Sequence, residues 1–421
     1  MAVKFRIVFC AVMLSMVHIH AQNISLEWST SKQPLEYQVG EDICFMIQLF
    51  TNTVPLLNTR LDWKRSGDDG ISEKGTLTTG PTSVVIRTRA HAPGFIRIEV
   101  VPYGCDAKPM KYVNKDRIIT FEGGAAAHPT SLHACPAPAD FEAFWAKQKA
   151  VLKQVPLQVE RVPVPNAPAG FTVYDVKVSC AGKKPVSGYL SIPRTAQSRS
   201  LPAQVGFKGY SVSGADIACV NNQITFNINA HGIENGKPPA YYQALAEGEL
   251  KGYGFQAAEN SAPETAYFLG MFLRVMRAID YVQTLPEWDA KNLVVSGGSQ
   301  GGFQALAAAA LRADVVTRCS AYKPWCCDLA GITQKRISGW RPAYTPALDY
   351  FDGVSMARLI RCPTTIVCGL GDYVCPPSGL VILYTTLTCS KKIEFLQGVT
   401  HESATPPCSR NPLKYSWESQ P

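Results

Sequence analysis

The chain has 421 residues, of which 46% are hydrophobic and 18% charged, enough for a large packed core and, at this length, for two domains. A formal charge of +8 with no dense Lys/Arg run excludes nucleic acid as a partner. No stretch after the amino terminus is long and apolar enough to cross a bilayer, so no membrane span is expected.

Residues 1–21 read as a signal peptide. Lys4 and Arg6 give a basic start, 7–17 is an apolar run broken only by Ser15, and His20-Ala21-Gln22 offers a small-residue cleavage site. The expectation is export, to the periplasm or the medium. Cleavage would remove Cys10 from the 14 cysteines, and the odd remainder implies at least one free thiol beside any that pair. The cysteines show no C-x-x-C or Cys/His spacing suited to zinc, and Cys326 and Cys327 read as two small buried hydrophobes.

Residues 23–122 alternate short β-type runs with turn clusters. Strands are expected over 42–50, 84–87 and 94–101, and turns at Thr51-Asn52-Thr53, 66–70 and Thr79-Gly80-Pro81. This pattern predicts an Ig-like β-sandwich. It holds no catalytic constellation, because His91, His128 and His133 fall among turn and linker residues. The Ala/Gly/Pro-rich stretch 123–139 reads as a linker. Whether this unit spaces, presents substrate or packs onto the next one stays open.

Residues 140–421 form the second unit. Asp140 is a good cap for an amphipathic helix over 141–154, and β runs follow at 172–178, 185–192, 203–207 and 222–228. A helix over 265–285 repeats Leu269, Phe272, Leu273, Met276, Ile279 and Val282, with Arg274, Arg277 and Asp280 on its other face. Strands near 293–295, 315–320, 364–368 and 392–396 and a helix at 379–387 complete the series. Alternating β and α elements predict an α/β fold, a mostly parallel sheet with helices on both faces and its active site at the strands' carboxyl ends.

The chemistry concentrates after the strand at 293–295. Gly297-Gly298-Ser299-Gln300-Gly301 turns the chain abruptly into a helix over 303–311, the strand–serine–helix layout of a nucleophile elbow. Glycines flank the serine because the turn is tight and its neighbours approach closely. Ser299 is therefore the candidate nucleophile. It needs a base and a carboxylate to orient that base, in the chain order Ser, Asp, His. His401 is the one histidine downstream. Among the acids that follow Ser299, Asp372 alone ends a strand–Gly-Leu-Gly-Asp run, which puts it on a strand-end loop. The N–H groups of Gln300 and of Tyr210, in the glycine-containing loop 207–214, are candidate oxyanion donors. Tyr322 and Trp325 are candidates for the pocket wall or for the core.

These residues resemble the acetyl xylan esterase and cephalosporin-C deacetylase family, carbohydrate esterase family seven. Gly297-Gly298-Ser299-Gln300-Gly301-Gly302 looks like its nucleophile motif, His401-Glu402 like its His-Glu motif, and Gly209-Tyr210 and Gly371-Asp372 fit as well. The resemblance covers residues 140–402 and leaves out the β-sandwich. It implies an α/β-hydrolase that removes acetyl groups from acetylated sugars, with Ser299, Asp372 and His401 as its triad. Where the family carries Arg-Gly-Gln, this chain reads Ala230-His231-Gly232-Ile233. That change weakens any transfer of the family's ring-like hexamer and of its substrate range, the extra domain weakens the hexamer further, and oligomerisation stays open. The reading is a serine acetylesterase that needs no metal or organic cofactor. A peptidase, a glucuronoyl or feruloyl esterase, and an inert carbohydrate-binding protein are its rivals.

Overall fold

The computed structural model describes residues 24–112, 116–402 and 414–420. The expected signal peptide lies outside them. The amino-terminal unit is built from β1 (Ile24–Thr30), β2 (Asp42–Thr51), β3 (Val54–Pro55), β4 (Arg60–Gly67), β5 (Glu73–Thr78), β6 (Val84–Arg89), β7 (Gly94–Tyr103) and β8 (Phe121–Ala127). They form two antiparallel four-stranded sheets. In one, β2 pairs with β1, β3 and β6; the other runs β5-β4-β7-β8. Alternation decides which side chains go inside. Ile43, Phe45, Ile47 and Leu49 of β2 meet Ile96, Ile98 and Val100 of β7 in one core.

Residues 123–127 are not a linker. They pair with β7 as most of β8, from Phe121 opposite Val100 to Ala127 opposite Gly94. Their small side chains answer to space. Ala125, Ala126 and Ala127 are fully buried, and a Cβ on Gly124 would lie 2.7 Å from the carbonyls of both Ile96 and Leu370. Leu370 belongs to the second unit, so β8 is where the two units meet.

The second unit begins with α1 (Phe141–Gln154), over the residues expected. Asp140 makes no side-chain cap; its carboxylate accepts from the Tyr350 hydroxyl instead. Then come β9 (Val159–Pro163), β10 (Phe171–Val178), β11 (Val186–Pro193), β12 (Leu201–Phe207), β13 (Ile224–Ile228), α2 (Pro239–Glu247), α3 (Tyr267–Val282) and β14 (Trp288–Gly298). The chain continues through α4 (Gln300–Leu311), β15 (Arg318–Tyr322), α5 (Gly353–Ala357), β16 (Thr364–Gly369), α6 (Pro377–Thr386), β17 (Lys391–Leu396) and β18 (Lys414–Ser419). The ten strands make one sheet in the order β18-β17-β16-β15-β14-β12-β13-β11-β10-β9. Pairing is parallel from β13 to β17 and antiparallel at both ends. This is an α/β-hydrolase sheet preceded by a β-sandwich.

Arg274 and Arg277, placed by periodicity on the polar face of α3, are both buried. Arg274 donates twice to the Ala230 carbonyl, and Arg277 to the carbonyls of Leu152 and Val155 at the end of α1. A guanidinium supplies five donors, and helix ends carry orphan carbonyls that need them. Helices α1, α3, α4, α5 and α6 form one contiguous layer. The opposite sheet face shows a polar row, Gly206, Ser296, Ser320, Thr365 and Lys392, in register across five strands and more exposed than their buried neighbours.

Candidate active site

Strand β14 delivers Ser299, and α4 takes the chain away at once. Ser299 holds φ 55°, ψ −122°, a costly conformation for any residue but glycine. Three bonds fix it there. Its N–H donates to the Tyr322 carbonyl (2.9 Å), and its own carbonyl accepts from the N–H groups of Trp325 and Phe303 (3.0 Å each). The flanking glycines answer to contact. A Cβ on Gly297 would collide with the Gly301 backbone, and one on Gly301 with the Phe207 carbonyl.

The imidazole of His401 bridges the other two groups. Its Nε2 lies 2.9 Å from Ser299 Oγ and its Nδ1 2.9 Å from Asp372 Oδ2. Asp372 is buried, and its other oxygen accepts from the Val374 and Cys375 N–H groups (2.8 Å each). A carboxylate so held can keep the ring in the tautomer that leaves Nε2 free to take a proton. These are the three residues singled out from the sequence, and the fold brings them together.

Sequence reasoning missed what holds them. Lys323, buried at φ 45°, donates its ammonium to the Thr400 and His401 carbonyls and so anchors the histidine loop. The β-sandwich anchors it too. The Gln397 amide pairs with both backbone groups of Gly124, Nε2 to the carbonyl at 2.7 Å and Oε1 from the N–H at 3.0 Å. A Cβ on Gly398 would strike the Trp28 ring, and one on Gly371 the Glu122 backbone. The loops that carry Asp372 and His401 are therefore both seated on the amino-terminal unit.

The loop after β12, which holds the candidate donor Tyr210, lies against the elbow. The Lys208 carbonyl accepts from Gln304 Nε2 at 3.2 Å, and Gly209 approaches the Gly298 carbonyl. Among the described residues no protein acceptor takes the N–H of Tyr210 or of Gln300. A buried chain of polar groups joins these two donors' residues. The Ser211 N–H donates to the Tyr253 hydroxyl (3.0 Å), which donates to Gln300 Oε1 (3.2 Å), while the Tyr210 ring stacks on Tyr253 at 4.2 Å.

His231 closes the chain. Its Nε2 faces the Ser211 carbonyl at 2.8 Å, so that nitrogen carries the hydrogen and Nδ1 accepts from the Tyr267 hydroxyl. Thus His231 ties the loop after β12 to Tyr267 at the start of α3. Burial, aided by nearby Arg274, pushes the His231 pKa down from 6.5 to about 4. The folded state then resists a proton that the unfolded chain accepts below 6.5. This contribution is complete above pH 6.5 and disappears as pH falls through about 4; it amounts to about 3 kcal/mol. Urea midpoints measured at pH 7 and 4.5 should show a slope that His231→Gln flattens. An unchanged slope in the variant would refute this account.

Of the two proposed wall residues, Trp325 is 1% exposed and therefore core. It stacks on Trp340 (5.4 Å) and donates its indole N–H to the Trp340 carbonyl at 2.6 Å. Trp340 is the exposed member of that pair, at 41%. Tyr322 is half-buried beside the elbow. Tyr373, next to Asp372, is 44% exposed. An aromatic directly after a strand-end aspartate was the available signal for it, and it went unread.

Among the described residues one group, Asp372, Cys375 and His401, brings metal-type donors within 4.8 Å of one another. Both nitrogens of His401 are already bonded, to Asp372 and Ser299, and burial pushes the Cys375 thiol well up. His401 and Asp372 are thus engaged in the hydrogen-bonded line with Ser299. The twelve described cysteines are all free, and Cys326 and Cys327 are buried, as small hydrophobes would be.

The sequence model of the acetyl xylan esterase (AXE1) family matches residues 132–345 and 341–419. The chain belongs to the acetyl xylan esterase family. The match starts after β8 and leaves out the sandwich. Acetyl esterase Axe7A of Xylanibacter ruminicola is 28% identical over 270 residues, and the chain spans 61% of that relative's length. The solved acetyl xylan esterase from Paenibacillus sp. R4 is 26% identical and covers 65% of this chain and 93% of its own, with a TM-score of 0.55. Acetyl xylan esterase 1 from Thermoanaerobacterium sp. JW/SL YS485, at 20% identity, covers 65% of this chain and 92% of its own with a TM-score of 0.53, a likeness of fold. The family's fold is thus joined here to a sandwich that touches the loops carrying Asp372 and His401.

Proposed function

We propose that the protein is a serine esterase that removes O-acetyl groups from acetylated sugars and xylo-oligosaccharides. The observation that carries the reading is the unbroken line Ser299–His401–Asp372 at a strained elbow, in a chain of this family. His401 takes the Ser299 proton as Oγ attacks the acetyl carbonyl. The N–H groups of Gln300, at the first turn of α4, and of Tyr210 receive the oxyanion. His401, now protonated and steadied by Asp372, gives its proton to the departing sugar oxygen, leaving acetyl on Ser299. Water, deprotonated by the same ring, then releases acetate and restores the serine. Each step uses side chains and backbone already in place.

Residues 140–421 are the esterase unit in this reading, and the basic-apolar start directs export to the periplasm or beyond. The test is acetate release from peracetylated xylose and acetylated xylan, set against feruloyl and glucuronoyl esters and peptide amides. Acetate release with little turnover of the rest is expected. Preference for a longer acyl ester or an amide would sink the acetylesterase reading.

A further inference from the structure

We propose that the active site continues onto a sugar-binding surface shared by the two units, with Trp340 and Tyr373 as its platforms and Arg97 and Glu122 as its polar edge. The inference rests on the acetyl-carbohydrate reading and deepens it: it assigns the residues that hold the sugar units beside the one being deacetylated. Among the described residues, the exposed large apolar side chains include two aromatics, Trp340 and Tyr373. Both border the triad. Tyr373 directly follows Asp372, and the Trp340 N–H donates to the Val374 carbonyl at 3.2 Å, so the two rings rise from neighbouring backbone. The Trp340 ring also meets Tyr210 edge-on at 4.8 Å, which puts it on the oxyanion side while Tyr373 stands on the acid–histidine side.

Two exposed rings rising from neighbouring backbone beside Asp372 offer a ligand apolar surface at the site itself. A sugar ring is a fitting one, since its C–H faces lie on aromatic faces while its hydroxyls seek charged or amide groups at the rim. The rim is present, and it comes from the sandwich. The Arg97 guanidinium of β7 sits 5.0 Å from the centre of the Tyr373 ring and pairs with Glu122 of β8. This cation holds one face of the phenol ring and leaves its exposed part turned outward. Arg97 and Glu122 side chains are themselves 22% and 13% exposed, open enough to meet a hydroxyl and fixed enough to need little ordering. A sugar unit next to the one being deacetylated is the ligand that this arrangement suits.

The experiment compares the full-length protein with Tyr373→Ala, Tyr373→Phe and Arg97→Ala on 4-nitrophenyl acetate, peracetylated xylose and acetylated xylotetraose. Tyr373→Ala should raise KM for the tetraose on the order of tenfold beyond any loss on the aryl ester, with kcat much less affected. Tyr373→Phe keeps the ring and should retain most of the tetraose preference; Arg97→Ala should fall between. Equal losses on all three substrates would mean that Tyr373 only positions Asp372, which overturns the proposal. So would a wild-type protein that deacetylates the tetraose while no variant changes its KM. A wild type active on the aryl ester but on neither sugar overturns the carbohydrate reading itself, and this surface with it.

Discussion

Ser299→Ala should lower kcat on acetyl esters by at least about 10⁴-fold while leaving the melting temperature nearly unchanged. The substitution removes one oxygen. It leaves the N–H to Tyr322, the carbonyl bonds to Trp325 and Phe303, and the strained φ of 55°, which alanine meets at about the same cost as serine. Asp372→Asn should approach the same loss, because an amide that donates to Nδ1 would favour the wrong tautomer. In that orientation its carbonyl oxygen keeps the Val374 and Cys375 N–H bonds, so, as with Ser299→Ala, stability should change little. Steady-state kinetics and thermal melts on both variants test these expectations. Activity within tenfold of wild type in Ser299→Ala would end the case for this serine.

The second large effect comes from a residue with no side chain. Gly371→Ala should cut kcat by about 100-fold with KM nearly constant, because a shift of about 1 Å in a catalytic group is worth that much. Its Cβ would collide with the Glu122 backbone of β8, which can yield only by moving a buried strand or by moving Asp372. The same overlap should lower stability by about 1–3 kcal/mol. A conventional overpacking defect would lower stability alone. Here kcat and stability should fall together, and the pair of measurements tells the two apart. Wild-type kcat in Gly371→Ala would show that β8 does not hold the acid loop.

The active centre was the most legible part of the sequence, because elbow chemistry is local. Gly297 to Gly301 must carry glycines wherever such a turn is made, and His401 had no downstream competitor. Many helix and strand positions followed from period, although β1, β4, β5, β9 and β18 were not expected. Gly123 to Ala127 looked like a spacer because small residues mark both flexibility and close packing, and composition cannot tell them apart. Arg274 and Arg277 looked exposed because periodicity counts charge and does not see the carbonyls at Ala230 and Leu152 that receive them. The support around the triad, Lys323, Gln397 and the His231–Tyr267 pair, was hidden for a similar reason. Its partners lie far away in sequence, and only the fold brings them together.

The polar row from Gly206 to Lys392 bears on how this protein responds to temperature. Parallel strands ordinarily bury apolar side chains on both faces. Among the described residues, the buried apolar positions of β12 and β14–β17 alternate with a more exposed row that includes Ser296, Ser320, Thr365 and Lys392. Unfolding such a sheet uncovers less new apolar surface per strand residue than unfolding one clad on two sides. Heat-capacity change and denaturant slope scale with that surface. The esterase unit should therefore have a flatter stability curve than its length suggests, holding a nearly even stability across a wide thermal range.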